Sequence, residues 1–98
     1  MSSETSISKG TWEAADVSKD VALTGAELLL KRDQKGVFSL CRPPGHHAAL
    51  DMFGGYCFLN NAAISAQWFR DIGIEKVCIL DIDFHHGNGT QDIFYERE

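Results

Sequence analysis

Asp81, Asp83 and His85 alternate with apolar residues directly after the run Val77–Leu80. In an extended chain side chains alternate with period two, so Val77, Ile79, Asp81, Asp83 and His85 share one face. That face begins apolar and ends in two carboxylates and an imidazole. Carboxylates at the end of an apolar strand are costly unless they are paired or hold a metal. Asp83 and His85 stand roughly 6.6–6.8 Å apart along a strand. Both can turn onto one cation, at about 2.0–2.2 Å for zinc. The pair therefore reads as two ligands of a catalytic metal. Such a zinc takes three protein ligands and leaves one position open for water or substrate. Its charge brings the pKa of bound water toward ~7 and polarises a carbonyl. A base must then stand within hydrogen-bond reach of that water. His46 and His47 are the candidates, one touching the water while the other braces it or shuttles protons. Asp81 is placed to hydrogen-bond such a histidine and fix its tautomer.

These residues need elements that bring them together. Thr11 is a plausible N-cap, and from Trp12 to about Arg32 the apolar spacing predicts a helix with a broad apolar face. Val37–Cys41 reads as a short buried strand ended by Pro43-Pro44-Gly45. Asn60 or Asn61 caps a second helix to about Ile72, with Gly73 just past its end. Val77–Ile82 is the second strand, and Thr90–Tyr95 starts a third, short helix. Trp12 and Trp68 read most simply as core residues. The fold class is α/β, with parallel strands joined by a right-handed crossover through a helix. Ligands in such folds bind beyond the carboxyl ends of the strands. His46-His47 follow the first strand, and Asp83 and His85 end the second, so one sheet edge collects both motifs.

The bulk properties narrow the alternatives. Ninety-eight residues suffice for one small domain. Residues 1–10 are polar and are expected to fray, leaving 11–98 as the domain. The net charge of −5 comes with no basic stretch, which argues against a nucleic-acid partner. No apolar run approaches the ~20 residues a membrane span needs, and no apolar signal core stands at the N-terminus, so the cytoplasm is the expected compartment. Cys41, Cys57 and Cys78 form neither a disulfide framework nor a CxxC motif.

Three segments, Arg42-Pro43-Pro44-Gly45-His46-His47-Ala48, Gly54-Gly55-Tyr56-Cys57-Phe58-Leu59-Asn60-Asn61 and Asp81 through Gln91, together resemble the zinc-dependent histone deacetylase superfamily. The bacterial acetylpolyamine amidohydrolases and the class II-like deacetylases look nearest, and the likeness runs through residues 10–98. It implies part of an arginase/deacetylase-like α/β fold and hydrolysis of an N-acetyl amide to acetate and an amine. It implies Asp83 and His85 as zinc ligands, His47 as general base and acid, and His46 supported by Asp81. Asn88 would orient His47. Gly55 and Tyr56 would line the tunnel for an acetyl-lysine or acetylpolyamine. A structural potassium ion would sit near Asp81, and a second cation site would use the main chain at Phe94. The family's third zinc ligand, an Asp, and its oxyanion-stabilising Tyr lie downstream and have no counterpart in these residues. The expected role is thus part of a zinc-dependent deacetylase. The alternative is a catalytically inactive α/β module acting in assembly or metal binding. Open strand edges and uncovered helix faces recruit partners, so a homo-oligomer is expected.

Overall fold

The computed structural model describes residues 5–31 and 34–97. Helix α1 spans Thr11–Lys31. It begins at Thr11 itself, because Gly10 takes φ +90° and its carbonyl accepts the Ala14 N–H at 2.9 Å. Thr11 is therefore the first helical residue rather than the cap. Its hydroxyl reaches back to accept the Ser8 N–H at 2.8 Å. Arg32, the expected last residue, lies outside the described residues, as do Met1–Glu4 of the expected N-terminal segment.

The buried positions of α1 are Ala15, Ser18, Gly25 and Ala26. This is a stripe of small residues, not the bulky apolar face that the periodicity suggests. Trp12 is 67% exposed and so lies outside the core. Small residues let α1 approach α2 (Asn61–Asp71) closely. The contact is polar at its centre, where Ser18 Oγ accepts from Asn61 Nδ2 at 3.0 Å and donates to the Pro43 carbonyl at 2.8 Å. The loop that carries the histidines is thereby pinned to both helices.

Asn60 caps α2, its Oδ1 accepting the Ala63 N–H at 3.0 Å. The helix ends in a Schellman motif: Gly73 N–H donates to Arg70 O at 3.1 Å and Ile74 N–H to Phe69 O at 2.9 Å. Helix α3 spans Asn88–Phe94, starting two residues before the expected Thr90. No side chain caps it. The His46 carbonyl does so instead, accepting from Gly89 N at 3.0 Å and Thr90 N at 3.4 Å. These are N–H groups that a helix start leaves unpaired.

Neither of the two expected strands, 37–41 and 77–82, forms a ladder among the described residues. Among the described residues the one β-bridge joins Gly54 to Cys57. A ladder needs a partner strand, and neither segment has one among the described residues. Each segment leaves large side chains open: Phe38 is 86% and Leu80 83% exposed. Both runs have the apolar content of strands buried on two faces, but described helices meet only one face of each: Ser39 lies against Gly25 of α1, and Val77 and Ile79 line a cavity with Ala66 of α2 and Phe94 of α3. No helix among the described residues is long and apolar enough to cross a membrane.

Candidate active site

The C-terminal ends of both unpaired segments nevertheless converge. His46 Nδ1 donates to Asp81 Oδ2 at 2.8 Å across 35 residues of sequence. Asp81 Oδ1 accepts the Asp83 N–H at 3.0 Å, and Asp83 Oδ2 accepts the His85 N–H at 2.8 Å. Each aspartate thus folds back on the amide two residues ahead, an Asx-type turn that ends the extended run. The His46 bond, with the Asp83 N–H second, holds the Asp81 carboxyl below its ordinary range. It therefore stays ionised and anchors the His46 ring.

His47 stacks beside His46, ring centroids 4.1 Å apart and tilted by 46°. Its Nδ1 lies 2.6 Å from Asn88 Oδ1. An amide oxygen only accepts, so His47 carries a proton on Nδ1, which leaves Nε2 as the acceptor of the neutral ring. The two histidines are therefore held in the same sense by different partners, a carboxylate for His46 and a neutral amide for His47. The ring of His85 stands 6.3 Å from that of His47. His47, Gly55 and Asn88 line an open depression of about 470 Å³ with Met52 and Phe53. The Tyr56 ring does not line it and is mostly exposed.

Gly55 explains how His47 is approached so closely. It takes φ +52°, and a Cβ there would overlap His47 Cδ2 and stand 2.8 Å from Cγ. Next to it, Tyr56 also has positive φ, +67°. The strained turn is tied down by the Gly54–Cys57 bridge and by Thr5, whose Oγ1 accepts the Tyr56 N–H at 3.0 Å. Below the turn Cys57 is fully buried, and burial pushes its thiol pKa up, away from a nucleophile's range.

Asp83 Oδ2 lies 3.7 Å from His85 Nδ1 and 3.8 Å from His46 Nε2. Two donors on one tetrahedral zinc stand about 3.4 Å apart. The Asp83–His85 pair thus fits a cation as two of its ligands. Among the described residues no group of three or more His, Cys, Asp or Glu side chains completes a set. Both Asp81 oxygens already accept bonds within the chain. Every site residue expected from the sequence except Tyr56 lies in this cluster. Asn60, Thr5 and the carbonyl of His46 were not expected there. Their roles rest on contacts 12 to 51 residues distant in sequence, or on the main chain, which leave no local pattern.

The histone deacetylase domain matches this chain over residues 1–98. The chain belongs to the histone deacetylase family. It is 66% identical over 94 residues to the acetylpolyamine amidohydrolase of Mycoplana ramosa, covering 96% of this chain and 27% of that protein. It is 63% identical over 91 residues to acetylpolyamine amidohydrolase 2 of Pseudomonas aeruginosa, covering 93% and 26%. The crystal structure of the HDA15 HD domain superposes with TM-score 0.92 at 38% identity, over 98% of this chain and 27% of that one. That of the Burkholderia pseudomallei acetylpolyamine aminohydrolase gives 0.83 at 49% identity, over 89% and 25%. The chain therefore folds as the matching part of the deacetylase domain, and it spans about a quarter of the length of the curated relatives it matches.

Proposed function

We propose that these residues form the base-and-metal half of a zinc-dependent deacetylase that hydrolyses N-acetyl amides, acetylpolyamines before acetyl-lysine. The observation that carries the reading is the pair of oriented histidines, His46 on Asp81 and His47 on Asn88, facing Asp83 and His85. The substrate preference rests on the chain's 66% and 63% identity to two acetylpolyamine amidohydrolases.

Asp83 and His85 would hold the zinc, with a third ligand from outside these residues. Zinc supplies Lewis acidity toward the acetyl carbonyl and lowers the pKa of water toward ~7. In this reading His47 does the proton work. Its Nε2 takes the proton of the attacking water and later returns it to the departing amine. Asn88 keeps the Nδ1 proton in place throughout, so one tautomer serves both steps. His46, braced by Asp81, packs on His47 and faces Asp83 through Nε2. Gly55 supplies the wall of the depression that the acyl group enters. A potassium ion at Asp81 would use carboxylate lone pairs left over from its two bonds.

The test is zinc content and hydrolysis of an acetylpolyamine and a fluorogenic acetyl-lysine by the complete polypeptide that contains these residues. His47→Ala is expected to lower kcat by about 10²–10⁴ with zinc retained, and His85→Ala to lose zinc and turnover together. Unchanged turnover in both variants would sink the reading. Exposed Phe38, Leu40, Leu80, Ile82 and Phe84 favour a second reading, in which the 98 residues assemble with copies of themselves and are inactive. A monomer in sedimentation would dismiss it.

A further inference from the structure

Asn60 is 4% exposed and touches three elements at once. Its Oδ1 caps α2 through the Ala63 N–H. Its Nδ2 donates to the Ala48 carbonyl at 3.1 Å and to Thr90 Oγ1 at 3.0 Å. Ala48 follows His47 directly. Thr90 lies two residues after Asn88 on α3. One buried amide therefore grips both ends of the His47–Asn88 hydrogen bond. The packing between those ends leaves little slack. A Cβ on Gly89 would stand 2.7 Å from the Ala48 nitrogen, so the start of α3 lies flat on the loop.

Helix capping alone does not call for this residue. Serine or aspartate caps as well, with a side-chain oxygen. Neither offers the two N–H donors that Asn60 places on Ala48 and Thr90. Resting on the deacetylase reading above, we propose that Asn60 is a positioning residue for the general base: it fixes the distance between His47 and Asn88. Without its donors the His46 carbonyl still ties the loop to α3, but Ala48 is free to shift against Thr90. Misplacing a reacting group by about 1 Å costs on the order of a hundredfold in rate.

Asn60→Asp tests this in the complete polypeptide, because it keeps the capping oxygen and the side-chain shape and removes both donors. We expect kcat to fall at least about tenfold with KM within about threefold, the pattern of an interaction lost in the transition state. We also expect the His47 Nδ1–H resonance in the imidazole NMR spectrum to lose its hydrogen-bonded shift, while the amides of α2 keep their exchange protection. Should Asn60→Asp fail to fold, Thr90→Val removes one of the two contacts and is expected to show the same two changes in smaller measure. A folded variant with wild-type kcat and an unmoved His47 resonance overturns the proposal. If the parent protein hydrolyses no acetyl amide, the deacetylase reading fails, and the His47 resonance alone still decides whether Asn60 positions that ring.

Discussion

Gly55→Ala separates the requirements of the site from those of the fold. The new methyl would overlap His47 Cδ2 and stand 2.8 Å from Cγ and 3.1 Å from Nε2. Ordinary carbon contacts begin near 3.4 Å. The imidazole must therefore retreat by about 1 Å, a displacement that costs on the order of a hundredfold in rate. His47 cannot retreat and keep its 2.6 Å bond to Asn88, so the tautomer loses its anchor as well. The fold is affected less. An alanine at φ +52° costs about 1–2 kcal/mol, and the clash falls on a side chain that can swing toward the open depression. The expected outcome is a cooperative unfolding transition lowered by that amount and a kcat near 1% of the parent. Steady-state hydrolysis of an acetylated amine beside a urea titration measures both. A Gly55→Ala protein with kcat within threefold of the parent would show that His47 does not act from this position.

Two further outcomes follow from single contacts. The Asp81 carboxyl is held below its ordinary value of 3.8 by His46 and the Asp83 N–H, so the stability it contributes is present above that pH and is lost as pH falls through the lower folded value. The difference in melting temperature between the parent and Asp81→Asn should hold from neutrality to about pH 4 and close below it; a gap that closes at higher pH would contradict the pairing. Thr5→Val removes the acceptor of the Tyr56 N–H and should cost about 1 kcal/mol in urea unfolding, with Thr5→Ser close to neutral. Equal losses in the two variants would assign the effect to packing instead.

The part of the site written in side-chain alternation could be read directly. Period two puts Asp81, Asp83 and His85 on one face, and the strand-end rule brings His46 and His47 to meet them. Helices α1 and α2 follow from apolar spacing and from Asn60 and Gly73 at the ends of α2. The strands were legible only as apolar runs. A ladder belongs to two segments, and no pattern within 37–41 or 77–82 says which partner lies beside it. Trp12 misled because the buried positions of α1 are Ala15, Ser18, Gly25 and Ala26, a face defined by small volume rather than hydrophobicity. Asn60 could be read as a cap, but its donors reach residues 12 and 30 positions away.

The way these contacts are distributed divides the site. His46, His47 and Asn88 are tied by bonds that need no sheet: Pro43 O to Ser18, Ala48 O to Asn60, His46 O to the first turn of α3. Their geometry is set by three helices and a loop. Asp83 and His85 hang on a run whose neighbours Ile82 and Phe84 are almost fully exposed, and both side chains are themselves open to solvent. Asp81 joins the halves, accepting from His46 on one side and from the Asp83 amide on the other. His47, the proposed base, is thus positioned locally, whereas Asp83 and His85, the proposed zinc ligands, depend on what packs on the segment that carries them. Metal affinity should accordingly respond to changes along 77–84 that leave the His47–Asn88 bond untouched.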